Sequence, residues 1–382
     1  VGGGDRIAPQ MMNILHVYKT FLNDSFGGVE QVISQIAMAS TPSDFKHTVV
    51  SLSKIPAMET DQAFGVRNIR YPETVSIASN AMSYALLRDF GRLAKSYDLI
   101  HYHFPWPFAD LMHGSWRIKT PSILTYHSDI VRQKQMLRFY RPLMHYFLNS
   151  VDHVVATSPN YLATSEVLQQ YQDKVTVIPI GLTKNNDLTP TEIRKNYWRD
   201  RFGDRFFLFV GVMRYYKGLH ILLEAMRHTS YPVVLVGTGP IEAELKKQAL
   251  ALNITNVHFV GQLSDLDKTA LLQLCTSVVF PSHLRSEAFG VSLLEGAMFG
   301  KALISSEIGT GTSYINQDGK TGLVVPPNDP QAFRQAMDFI WNNPERAEVM
   351  GQCAQARYEE LFTGAQMAAE YEKLYLNVLN SI

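Results

Sequence analysis

The chain has 382 residues, 46% hydrophobic and 18% charged, with a formal net charge of zero. That length exceeds one ordinary core and predicts two domains, and the composition excludes a disordered chain. Neutrality argues against nucleic acid as the main partner, because a phosphate backbone wants a basic surface.

Cys275 and Cys353 both fall in helix-like apolar patterns. They offer neither a metal spacing nor a disulfide framework and fit a reducing compartment. No run of about eighteen apolar residues occurs, so no membrane-spanning helix is expected. The expectation is a cytoplasmic protein able to touch the inner face of the cytoplasmic membrane. Val1–Gln10 lacks a hydrophobic signal segment and precedes Met11-Met12, so it reads as an added segment outside the fold.

From there, apolar runs alternate with amphipathic stretches. Asn13–Val17 is a first predicted strand, and Gly27-Gly28 opens a helix. Strands are predicted at His47–Leu52, Leu99–His103, Ser122–His127, His153–Thr157 and Val175–Pro179. A short polar stretch, Gly181–Asp187, reads as a hinge. The pattern restarts with Phe206–Gly211, Pro232–Gly237, Val257–Val260, Ser277–Phe280 and Ala302–Ser305. Such alternation predicts parallel sheets covered by helices, in an α/β chain of two doubly wound, Rossmann-like domains facing a cleft. Boundaries are expected at 11–183 and 184–364. A last helix, 365–382, is expected to pack back on the first domain through Met367, Tyr371, Leu374, Tyr375 and Val378.

The richest motif is Glu287 to Glu295, a strand–loop–helix passage. Glu287 falls in the loop and Glu295 about two turns into the helix, on its inward face. A helix start carries unsatisfied N–H groups and positive partial charge, so the amides of Phe289, Gly290 and Val291 suit a phosphate. Carboxylates on either side could then grip hydroxyls, a layout that fits a sugar nucleotide. Gly211, Arg214, Lys217 and Gly218 follow an earlier strand, and two cations aimed at one loop suit a diphosphate. Taken alone, that loop reads equally as a solvated basic turn. Gly237 and Gly239 follow the next strand. Val260 and Gly261 end another, where backbone groups could meet a nucleobase edge or simply make a turn.

This series of strand-end loops resembles the retaining family 4 glycosyltransferases of GT-B fold. Supporting pieces are Val177–Leu182, Gly322–Asp329 and Gly27-Gly28-Val29-Glu30. The resemblance implies that Arg214 and Lys217 bind the donor diphosphate and Glu295 the ribose hydroxyls. It implies that Glu287 contacts the transferred sugar, and that Gly27 and Gly28 let the first helix approach phosphate and acceptor. Val212 departs from the family pattern, which has arginine there, so Arg214 is expected to supply that charge.

In the first half, His127 ends a strand. The resemblance implies that it faces the cleft and reaches the donor sugar, while a structural role capping the next helix is the alternative. Asp129 is expected to N-cap that helix. Lys134, Arg138, Arg141 and His145, spaced four, three and four, share one helix face beside apolar residues. That face suits anionic lipid headgroups or a lipid pyrophosphate, or is simply solvated. His101 to Pro107 reads as a stiff aromatic wall for stacking on a sugar. His101 and His103 are read as alternating across their strand rather than converging, so no metal site is expected.

The stretches Lys19–Glu30, Tyr126–Val131 and Arg141–Met144 are similar to bacterial O-antigen mannosyltransferases. That similarity implies GDP-mannose as donor and an undecaprenyl-diphosphate-linked N-acetylglucosamine as acceptor, joined in α linkage. UDP-glucose, UDP-galactose or UDP-GlcNAc donors are the alternatives, with a nucleotide-sugar epimerase or a non-catalytic sensor further off. No cofactor and no metal are expected, since two cations and a helix end can neutralise the diphosphate. The expected chemistry is front-face transfer with retention, Glu287, His127, Arg214 and Lys217 being the catalytic candidates.

Overall fold

A computed structural model describes residues 11–381 other than 23, 25–26, 43, 56–58, 64–65, 78–79, 131–133 and 186. Of the residues singled out above, Val1–Gln10, Asn23, Ser25, Phe26, Val131, Asn186 and the side chain of Lys134 lie outside the described residues. The chain divides into two compact units. One comprises Val1–Thr157, Ser165–Thr183 and Gly364–Ile382; the other comprises Ser158–Thr164 and Lys184–Thr363.

The first unit contains β1 (Met12–Val17), β2 (Phe45–Ser53), β3 (Glu59–Ala63), β4 (Val66–Pro72), β5 (Val75–Ile77), β6 (Asn80–Met82), β7 (Leu99–Phe104), β8 (Ser122–Tyr126), β9 (His153–Ala156) and β10 (Val175–Val177). Eight of them form one sheet in the order β10-β9-β8-β7-β1-β2-β4-β3, parallel except for β3 against β4. β5 and β6 form a separate antiparallel pair. The helix Gly364–Asn380 belongs to this unit. Met367, Tyr371, Leu374, Tyr375 and Val378 are all buried on it. Its start is held by the Gly364 N–H donating to Leu182 O at 2.9 Å, and its flank by Glu372 accepting from the Thr41 N–H at 2.6 Å.

The second unit contains β11 (Phe207–Val210), β12 (Val233–Val236), β13 (Val257–Gly261), β14 (Ser277–Phe280), β15 (Ala302–Ser306) and β16 (Gly322–Val325). They form a parallel sheet in the order β13-β12-β11-β14-β15-β16. Phe207, Phe209, Leu235, Val279 and Ile304 project from it into a core shared with Leu222, Phe333 and Met337 of the covering helices. Each such apolar side chain stabilises the unit by roughly 1.5–3 kcal/mol relative to exposure. Helix starts are fixed locally: Ser264 Oγ accepts from the Asp267 N–H, and Asp329, followed by Pro330, accepts from Ala332.

One local expectation is corrected. Asp129 Oδ1 accepts from Tyr126 OH (3.0 Å) and Ser165 Oγ (2.8 Å), while residues 131–133, which it was expected to cap, lie outside the described ones. Cys275 lies just past the end of the helix Asp265–Leu274 and not within it. Burial raises its thiol to about 11.

Candidate functional site

In the six-stranded sheet the strand order reverses between β11 and β14, and doubly wound sheets bind ligands beyond the carboxyl ends of their strands at such a reversal. The loops leaving these strands carry Lys217 and Glu287, and they meet there. The Lys217 ammonium pairs with Glu287, whose Oε2 also accepts from Ser282 Oγ at 3.2 Å. Both residues are nearly buried, at 9% and 8% exposure, with Nζ 4.7 Å from the Phe280 ring centroid. Gly218 permits this contact: at φ 70, a Cβ would lie 1.9 Å from the Pro281 carbonyl oxygen.

The expected pair of cations is separated by the structure. A short 3-10 turn, Tyr215–Lys217, turns Lys217 inward and leaves Arg214 exposed, without a partner among the described residues.

The helix Val291–Met298 begins at the same strand end and has no side-chain cap. The N–H groups of Phe289, Gly290 and Val291 bond to no acceptor among the described residues, while Leu293 and Leu294 bond back to Gly290 O. An uncapped amide end beside a buried ammonium favours an anion. Ser292 Oγ donates to Val210 O at 2.7 Å and ties the helix start to β11. Glu295, about one turn along rather than the expected two, is held by Lys268 at 2.9 Å, and Glu295 in turn raises the Lys268 amine above its ordinary value. Sequence reading missed Lys268, which carries no motif and arrives from a different helix.

Three neighbouring loops are stitched to one another. Gly211 N–H donates to Val236 O (3.0 Å), Met213 N–H to Thr238 O (2.8 Å) and Gly237 N–H to Gly261 O (2.8 Å). Gly237, at φ 120, has no room for a Cβ, which would fall 2.1 Å from Gly211 O. A Cβ on Gly239 would likewise strike the Met213 backbone. These glycines are therefore required by loop-to-loop packing whatever the ligand. The register between β12 and β13 slips after Leu235, pairing Val236 with Gly261 and leaving Val260 as the extra residue of a bulge.

In the first unit, His127 follows β8 and is buried. Its Nε2 lies 2.9 Å from His103 Nδ1. Burial lowers its ring to about 3, so it is neutral at physiological pH. Gly27 and Gly28 begin the helix Gly28–Ala39. Gly27 lies against the Glu30 carboxylate, which accepts from Thr20 Oγ1 at 2.7 Å, whereas Gly28 faces open space.

Residues 192–357 match the glycosyl transferases group 1 family, and residues 26–184 match glycosyltransferase family 4. The chain is 55% identical over 352 residues to D-rhamnosyltransferase WbpZ of Pseudomonas aeruginosa, spanning 92% of each chain. It is 49% identical over 372 residues to O-antigen chain mannosyltransferase C of Escherichia coli, spanning 97% of this chain and 100% of that one. The chain is a family 4 glycosyltransferase. Its fold is GT-B, like that of a sucrose-phosphate synthase from Thermosynechococcus elongatus (TM-score 0.76, 21% identity, 97% and 100% of the two chains). Anabaena HepE in complex with UDP-glucose is similar in the same way (TM-score 0.74, 19% identity, 97% and 100%).

Elsewhere in this glycosyltransferase the residues expected around an acceptor divide. On the helix Lys134–Ser150, Arg138 and Arg141 are exposed, with Phe139 between them 86% exposed. His145 instead turns to Tyr171, with Nδ1 2.6 Å from its hydroxyl. No helix among the described residues is long and apolar enough to cross a membrane. The aromatic wall at 101–107 is not available for stacking: Tyr102, Phe104 and Trp106 are fully buried, and Trp106 Nε1 donates to Ala81 O. The histidine expectation is also overturned. His101 and His103, two apart on a strand, share one face of the sheet and stack at 4.2 Å.

Proposed function

We propose that this glycosyltransferase moves a mannose residue from GDP-mannose, with retention, onto a lipid-diphosphate-linked N-acetylglucosamine in O-antigen synthesis. The observation that carries the donor site is the buried Lys217–Glu287 pair beside the uncapped amides of 289–291, at the strand-order reversal. Lys217 and those amides hold the diphosphate, with Arg214 folding in from solvent as a second cation. Glu287 orients the sugar hydroxyls, Glu295 holds the ribose through the oxygen not taken by Lys268, and His127 hydrogen-bonds the transferred sugar. The bond from C1 to the phosphate oxygen breaks and the bond from C1 to the acceptor oxygen forms on the same face. The acceptor proton passes to the departing diphosphate, whose charge Lys217 stabilises. Arg138, Arg141 and Phe139 form the contact with the lipid-bearing membrane surface, and no metal takes part.

The relatives support mannose through the 49% identical mannosyltransferase. A second reading, nucleotide-activated D-rhamnose, is favoured by the 55% identical D-rhamnosyltransferase. D-rhamnose is mannose without its 6-hydroxyl, so the two readings differ by one hydrogen-bonding group. Purified protein is incubated with GDP-mannose, its 6-deoxy counterpart and UDP-glucose, each with the lipid-linked acceptor. Transfer from GDP-mannose with an α-linked product supports the proposal. Transfer only from the 6-deoxy donor assigns the second reading, and transfer only from UDP-glucose overturns both.

A further inference from the structure

Beneath His127 runs a line of imidazoles that none of these roles uses. His127 Nε2 lies 2.9 Å from His103 Nδ1, His103 Nε2 lies 3.0 Å from His16 Nδ1, and His16 Nε2 lies 2.8 Å from His47 Nδ1. The rings come from β8's end, β7, β1 and β2, adjacent strands of the first sheet, and all four are buried. Burial, with His101 and the other rings nearby, holds His16 and His103 well below the ordinary histidine range, and burial alone lowers His47 to about 4. The four are therefore neutral, each with one N–H and one lone pair.

A hydrogen bond between two imidazoles needs a donor and an acceptor. Each neutral ring that accepts at one nitrogen must donate from the other, so all four rings point the same way. The far end decides which way. His47 Nε2 is buried and has no partner among the described residues. An orphaned buried N–H is the rarer and costlier of the two ends, so Nε2 holds the lone pair and Nδ1 the proton. The order then propagates: His47 donates to His16, His16 to His103 and His103 to His127 Nε2.

We propose that His47, His16 and His103 are positioning residues that lock His127 with its proton on Nδ1, so that it offers the substrate an N–H and never a lone pair. This deepens the proposed function and rests on His127 touching the sugar. It makes His127 a hydrogen-bond donor to a substrate oxygen and bars it from acting as a base, since reversal would move four protons together. Nδ1 of His127 has no partner among the described residues, as a substrate-facing donor requires.

A metal centre is the competing use of the cluster, because ligand atoms of His16, His101 and His103 lie within 4.8 Å of one another. Every ring nitrogen of the three is already hydrogen-bonded at 3.0 Å or less, His101 to Tyr375 OH and Thr125 Oγ1. No carboxylate belongs to the group to offset a buried dication.

The test is long-range ¹H–¹⁵N correlation on the whole wild-type protein labelled at histidine nitrogens, with His127→Ala as the assignment control. A pyrrole-type, protonated Nδ1 on His127 supports the proposal; a pyridine-type Nδ1 overturns it. Stoichiometric divalent metal retained by the protein, with the His16 and His103 nitrogens shifted, also overturns it. His47→Leu removes the terminal donor and should mix the two His127 tautomers and lower kcat/KM roughly two- to tenfold. His47→Asn, whose amide can donate in place of Nδ1, should restore both readouts, and failure to restore either counts against the relay. His127→Ala at wild-type kcat/KM would sink the substrate contact while leaving the tautomer result intact, so the two failures read separately.

Discussion

Acidification from pH 7 to pH 5 should unfold the first unit. His16, His101 and His103 are held well below the ordinary value, His47 and His113 at about 4 and His127 at about 3, in every case chiefly by burial. A histidine lowered in the fold stays neutral there while the unfolded chain takes up a proton near pH 6.5. Stability is therefore full above about pH 6.5 and is lost as pH falls toward the folded values. At pH 5 each such histidine costs about 2 kcal/mol, and the six together roughly 11 kcal/mol. Asp110 opposes them. Burial raises it to about 8, so its contribution is full below its unfolded value and lost as pH rises through 8. Acidifying from pH 7 to 5 regains about 3 kcal/mol through it. The net loss, roughly 8 kcal/mol, falls within the whole stability of an ordinary domain, about 5–15 kcal/mol. Urea unfolding at pH 7, 6 and 5, followed by fluorescence and near-UV dichroism, measures it. His47→Asn should flatten the pH slope by one histidine's share. A urea midpoint unchanged between pH 7 and pH 5 would refute the reasoning, because it would mean that these rings are charged or hydrated in the fold.

Lys217→Ala removes a charge-assisted bond to the donor diphosphate worth about 1.5–3 kcal/mol, and so should raise donor KM roughly 10- to 150-fold. It also leaves Glu287 buried beside Ser282 alone, so Lys217→Met with Glu287→Gln should melt higher than Lys217→Met by itself, read by calorimetry. Lys268→Met frees the Glu295 carboxylate and should change donor KM several-fold with kcat unchanged; an altered kcat with constant KM would speak against a ribose role. Gly218→Ala forces a Cβ against the Pro281 carbonyl at positive φ and should cost at least about 2 kcal/mol, seen as a lowered Tm even without substrate.

Much of the fold was legible because local patterns carry it. The second unit's strands are short, uninterrupted apolar runs, as fully buried parallel strands must be, and Val233–Val236 and Ser277–Phe280 declare themselves. Val66–Pro72 is hidden in the sequence because Arg67 and Arg70 break its apolar run, and Gly322–Val325 because it is short and opens on a glycine. Histidines 101 and 103 share a face because side chains on a strand repeat every two residues.

The sequence by itself determined that Lys217, Glu287 and the amides of 289–291 each stand at a strand end, because each lies within a few residues of the run that places it. Only the tertiary structure decided that Lys217 and Glu287, 70 positions apart, form a pair, since that depends on β14 lying beside β11. It alone decided that Lys268 reaches Glu295, and that three histidines from separate segments line up beneath His127. Strand order and helix docking are set by burial of whole faces, a cooperative choice that no window of neighbouring residues encodes.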